Sequence, residues 1–186
     1  LDLIESARRD GVAILADAYP YTAYSTGLTI LLPAEMLEGG TSALLKRLAD
    51  PAERGRARAH LERQIRQDPG DPSQIVIARI RAEGERALIG RTLAEIATDW
   101  TIDPGEAVLR LIEMERGNVP FIGHGMSPEN VEMVLGHPLV MVGSDGSSMA
   151  PVGRAAESRP HPRSYGAFAR ILAHYSRERS VLDLAA

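Results

Sequence analysis

What most constrains this chain is a recurring join, in which a short apolar run ends and a polar loop or a capped helix begins at once. Val12-Ala13-Ile14-Leu15-Ala16, Gln74 to Ile80, Val119 to Ile122 and Pro138 to Val142 are runs of this kind. Each is too short for a helix and reads as a strand, the first as a strand of a buried parallel sheet. Strong helix starts lie between them. Asp50-Pro51-Ala52-Glu53 combines a cap, a proline at the first helical position and a glutamate at the third. Thr92-Leu93-Ala94-Glu95 is a capping box, and Asp103-Pro104-Gly105-Glu106 and Ser127-Pro128-Glu129-Asn130 open two more helices. Ala107, Val108, Leu111 and Ile112 share one helix face, as do Val131, Val134 and Leu135 before Gly136. Phe168, Ile171, Leu172 and Tyr175 mark a last helix, from about Ser164 to Arg177. Strands alternating with helices predict an α/β protein.

The organisation falls into three stretches. Residues 1–27 hold the end of a helix stopped by Gly11, then a strand and a polar loop. Residues 28–72 read as an inserted helical excursion. Thr41 opens a helix carrying Leu44, Leu45 and Leu48; the next helix carries Arg54, Arg56, Arg58, Arg63 and Arg66 and reads as a solvated surface helix. The turn Asp68-Pro69-Gly70-Asp71-Pro72 closes it, and residues 73–186 carry the remaining βα units. The net charge of −4 excludes the basic face of a nucleic-acid binder, and 44% apolar residues suffice for a core. No run approaches the roughly 20 apolar residues of a membrane span. Cysteine is absent, which removes disulfide and thiolate chemistry from this stretch. The chain starts at Leu1, without a secretory leader, and reads as an internal piece of a longer, cytoplasmic protein.

In α/β folds the polar loops that follow strands form the functional rim. Two qualify, 17–27 and 143–149. The first packs Tyr19, Tyr21 and Tyr24 into six residues of a chain that is only 4% aromatic, so it is expected to line something. The second places Asp145 between Ser144 and Gly146 directly after an apolar strand. A carboxylate there is expected to be partly desolvated, which suits proton transfer, and it could also ligate a metal. Asp17 is expected just after the first strand, and His124 stands between Gly123 and Gly125. His137 precedes a proline and shapes a turn. His161-Pro162-Arg163 is a small cationic element whose arginine could fork onto a substrate carboxylate. No histidines recur at metal-ligating spacing, and neither HxH nor HExxH occurs, so the chain alone completes no metal site.

Four segments carry a resemblance. Asp17 to Leu28 resembles the DxYPYxAxSTxL segment of the N-acyl-D-amino-acid deacylases (D-aminoacylases) of the amidohydrolase superfamily. Gly125 to Val131 is similar to their GMSEENV, His137 to Gly146 to their HPLVMxGSDG, and His161 to Arg170 to their HPRSYGTFxR. The resemblance implies the later βα units of a metal-dependent (β/α)8 TIM-type barrel with a small insertion. It implies zinc-assisted hydrolysis of an N-acyl-D-amino acid to a D-amino acid and a carboxylate. Asp145 matches the catalytic aspartate, Tyr19 and Ser25 match positions near the substrate, and Met126 matches a pocket-lining residue; Arg163 is added as the carboxylate clamp. The family's metal histidines and bridging cysteine correspond to positions before Leu1. The zinc is therefore expected to be held mostly upstream, with Asp145 at most a weak ligand. This stretch is expected to be inactive alone and to need the N-terminal part of the barrel, or another chain, with no nucleic-acid or membrane partner. Two other readings are a hydrolase of a cyclic or differently acylated amide and a non-catalytic α/β binding domain.

Overall fold

A computed structural model describes residues 1–153 and 158–183. Its elements run α1 (Asp2–Arg9), β1 (Ala16–Ala18), β2 (Tyr24–Gly27), α2 (Ala34–Leu37), α3 (Gly40–Leu48), α4 (Pro51–Gln67), β3 (Ile75–Ile77), α5 (Leu93–Trp100), α6 (Pro104–Met114), β4 (Pro120–Gly123), α7 (Pro128–Leu135), β5 (Val140–Val142) and α8 (Arg163–Arg170). A π-helical turn, Ile171–Glu178, continues α8. None of the helices described is long and apolar enough to cross a membrane.

The elements group into two compact units. The larger takes Ala23–Gly125 with the described part of 151–160, and the smaller takes Leu1–Thr22, Met126–Ala150 and the described residues from His161 onward. The larger unit holds a three-stranded antiparallel sheet, β2-β4-β3, in which Phe121 of β4 lies opposite Thr26 and Ile77. Helices α2–α6 bury one contiguous core with it, in which Leu28, Leu61, Ile75, Leu109 and Phe121 are all fully buried. The helix starts form as their sequences specify. The Asp50 carboxylate accepts from the Ala52 and Glu53 N–H groups at 2.8 and 3.0 Å, and Asp103 from the Glu106 N–H at 2.9 Å. Thr92 and Glu95 close a reciprocal capping box.

Helix α4 departs from the solvated reading. Ala57, Leu61 and Ile65 bury one face. Arg54 forks onto Glu106 at 2.5 Å and Glu113 at 2.7 Å of α6, while Arg58 reaches Asp103 at 2.6 Å. The arginines thus tie α4 to α6 rather than merely facing water.

The smaller unit is built on β1 and β5, which pair in parallel with Ala18 opposite Val142. Among the described residues they pair with no third strand, and no barrel closes. Val131 and Leu135 of α7 pack with Ile171 and Tyr175 in a small cluster. Much apolar surface stays uncovered: Val12, Leu15, Met141, Phe168 and Leu172 are all about half exposed or more. The first strand begins later than its apolar run suggests, so Asp17 lies within β1 rather than after it. His137 shapes its turn as expected, accepting the Leu139 N–H at Nδ1 while Nε2 sits 3.0 Å from Glu5 of α1.

Thr92→Ala removes the hydroxyl that accepts the Glu95 N–H in the capping box on α5, and leaves the Glu95 carboxylate accepting the backbone N–H of residue 92. It should lower the unfolding free energy by about 1 kcal/mol, read from urea titration against the parent protein.

Candidate functional site

The site belongs to the smaller unit. Parallel pairing brings the C-terminal ends of β1 and β5 side by side, so the tyrosine turn and the Asp145 loop leave the same edge. The pairing extends past the strands, with the Gly143 N–H donating to the Ala18 carbonyl at 3.0 Å. A side chain at Gly143 would collide with the Asp17 carboxylate. The loop then runs against the start of α8. A Cβ on Gly146 would stand 2.9 Å from Ser164 Cα and 3.0 Å from the Arg163 carbonyl oxygen, so only glycine fits there without displacement. The Ser147 N–H donates to Ser164 Oγ at 3.3 Å.

This path aims Asp145 at α8. Its φ of 45° is left-handed, a conformation aspartate tolerates better than most residues. Its Oδ2 lies 3.1 Å from Arg163 Nη2. The expected desolvation is not found: the Asp145 side chain is 65% exposed, because its loop follows a three-residue strand that has one neighbour. Arg163 is the buried partner, with a side chain 14% exposed. An ion pair this open contributes at most about 1 kcal/mol to folding, so stability alone does not account for it.

The guanidinium of Arg163 also stands over the Tyr19 ring, 5.1 Å from its centroid. Burial pushes the Tyr19 phenol above its ordinary value; the Arg163 charge opposes that shift and the Asp145 carboxylate adds to it. Three further residues complete the cluster: Tyr21, read from the sequence only as part of the tyrosine-rich loop, His161, read only as part of a cationic element, and Arg170, given no role of its own. His161 is 4% exposed and packs edge-on against Tyr19 and Tyr21, with ring centroids 6.0 and 5.1 Å away. Tyr21 lies under the Arg170 guanidinium at 5.2 Å, and Arg170 Nε donates to the Pro20 carbonyl at 2.7 Å. The signal was present in the density of tyrosines and in the His161–Arg170 motif, but no local pattern says that the two segments meet.

The other two expected residues stand elsewhere. Met126 packs half-buried against the Val131, Leu135, Ile171 and Tyr175 cluster. Ser25 lies in β2 of the larger unit, opposite Ile122. His124 is exposed at the end of β4. Among the described residues no three histidine, aspartate or glutamate side chains converge in a way that could hold a metal ion. The three or four converging donors that a zinc centre needs are therefore not assembled by the described residues.

No protein-family model matches the chain. The solved structures to which the chain is similar are amidohydrolases of the D-aminoacylase kind. N-acyl-D-glutamate deacylase from Bordetella bronchiseptica, solved with zinc and a phosphonate mimic of the tetrahedral intermediate, aligns with 98% of this chain and 28% of its own, at TM-score 0.62 and 28% identity. A D-aminoacylase that defines a subset of the amidohydrolases aligns over the same shares at TM-score 0.60 and 27% identity. The curated relatives are N-acyl-D-amino-acid deacylases. An N-acyl-D-glutamate deacylase from Alcaligenes xylosoxydans xylosoxydans is 37% identical over 97 residues, and the D-aminoacylase of that organism is 32% identical over 97. The chain is thus homologous to the D-aminoacylase group of amidohydrolases, as its four motifs indicated. It corresponds to part of them: each match takes in 52% of this chain, and 17% and 18% of those relatives.

Two outcomes follow from the geometry. Gly146→Ala should cost about 1–3 kcal/mol in thermal or urea unfolding, because backbone atoms have to move apart. Arg163→Met should raise the Tyr19 hydroxyl further, since it removes the cation that opposes burial; ring carbon NMR titration reads this. The raised value favours the neutral phenol in the fold. That contribution to stability is therefore complete below pH 10, the unfolded value, and is lost as pH rises through the folded one.

Proposed function

We propose that this chain forms the later, substrate-facing part of the catalytic domain of an N-acyl-D-amino-acid deacylase, and that the activity belongs to a longer protein. The observation that carries this reading is the Asp145–Arg163–Tyr19 constellation beside the C-terminal ends of β1 and β5. Barrel enzymes place their chemistry at such strand ends. The homologues that share the fold hydrolyse this substrate class by name.

The arrangement suggests a division of labour. In the free protein Asp145 is held by Arg163. The α-carboxylate of an N-acyl-D-amino acid competes for the guanidinium fork, a geometry suited to bidentate binding. Binding then releases Asp145 to act as general base and acid. It takes one proton from the attacking water and passes it to the leaving nitrogen as the carbon–nitrogen bond breaks. The products are the free D-amino acid and the carboxylate of the acyl group. Tyr19 lines the same corner, and Met126 and Ser25 are assigned to substrate contacts on the family pattern. Zinc is present in the Bordetella relative, but the residues described here do not fit such a centre, so no step of this scheme runs through a metal.

In the full-length protein, Asp145→Asn should lower kcat for an N-acetyl-D-amino acid by about 10²–10⁴-fold. Turnover within a few-fold of the parent protein would remove Asp145 from this role. Residues 1–186 alone should show no hydrolysis in the same assay.

A further inference from the structure

We propose that His161 is a positioning residue, whose buried imidazole fixes the first turn of α8 and thereby places the Arg163 guanidinium between Tyr19 and Asp145. The proposal rests on the reading of Arg163 as the carboxylate clamp.

A helix start leaves N–H groups without intrahelical partners, and serine, threonine or aspartate usually accepts one of them. Helix α8 begins at Arg163 after Pro162, which has no side-chain acceptor. The Pro162 carbonyl accepts from Tyr165 and Gly166, both at 2.9 Å, and the His161 carbonyl accepts from Ser164 at 3.2 Å. The Arg163 N–H goes to the imidazole, donating to His161 Nδ1 at 3.1 Å. The imidazole therefore does the work of a cap, and as an acceptor at Nδ1 it must carry its proton on Nε2.

The same ring is wedged edge-on between Tyr19 and Tyr21. One side chain thus joins the turn after β1 to the backbone of Arg163. The Arg163 side chain runs back over Tyr19 to reach Asp145. A shift at the start of α8 moves the guanidinium relative to both, and a displacement of about 1 Å at such a site costs up to about 100-fold in kcat/KM, carried here by KM because Arg163 binds the substrate carboxylate. The acceptor and the ring are separable by substitution. Asparagine keeps an acceptor near the position of Nδ1, glutamine puts it one bond further out, and phenylalanine keeps the ring without an acceptor.

The test uses the full-length protein with an N-acetyl-D-amino acid and its carboxamide counterpart as substrates, together with hydrogen exchange at the Arg163 amide. His161→Phe should raise KM for the carboxylate substrate by about tenfold or more, leave the carboxamide KM unchanged and keep kcat within about threefold. It should also speed Arg163 exchange about tenfold or more, whereas His161→Asn should leave both quantities near those of the parent protein. An unchanged KM in His161→Phe, or an equal loss on both substrates, would overturn the proposal. Should the phenylalanine variant not fold, His161→Gln decides against His161→Asn: a higher KM in the glutamine variant supports the proposal, and equality overturns it. A parent protein that hydrolyses neither substrate refutes the deacylase reading alone. The exchange comparison then decides whether His161 holds Arg163: faster exchange in His161→Phe supports it, and unchanged exchange overturns it.

Discussion

The site depends on the parallel register of two three-residue strands. Because β1 and β5 run the same way, with Ala18 facing Val142, the chain must leave both at one edge. An antiparallel pair would have sent the tyrosine turn and the Asp145 loop to opposite ends. Asp17 and Gly143 seal this arrangement, since the aspartate occupies the volume that any larger residue would claim. Everything assigned a chemical role in the smaller unit begins within a few residues of that edge or is brought to it by α8.

Helix α8 supplies what the strands cannot, which is positive charge. Arg163 at its first position and Arg170 at its last both face tyrosine rings from the turn after β1. An arginine over an aromatic face keeps its planar fork oriented while its donors stay free to bond at the edges. Arg163 spends a donor on Asp145 and Arg170 spends one on the Pro20 carbonyl. The first contact is one that an anionic ligand can replace. The second is to backbone and fastens the turn.

The helix starts were legible because their physics is local: Asp50, Thr92, Asp103 and Ser127 each accept an N–H within three residues. Strand partners were not. Val119 to Ile122 reads the same whatever lies beside it, and only the folded chain shows β4 lying between β2 and β3. Tyr24–Gly27 looked like the tail of a polar loop because it lacks an apolar run, yet it pairs fully with β4. Arg54 of α4 looked solvated because its acceptors, Glu106 and Glu113, lie more than fifty residues away along the chain. At the site, the family motif pointed to Asp145, the cationic His161-Pro162-Arg163 element pointed to Arg163, and the structure pairs the two. His161 remained hidden because its importance lies in burial and in a backbone contact, which a motif does not display.

The core is unevenly shared. Leu28 through Phe121 supply a large interior to the antiparallel unit, whereas the unit that carries Asp145 and Arg163 buries a handful of side chains. Transient opening of backbone hydrogen bonds is governed by how much apolar area must be rehydrated, so breathing is cheaper around the carboxylate and the guanidinium than within the larger unit. The residues that would have to exchange partners during a turnover cycle thus ride on the more compliant portion of the polypeptide.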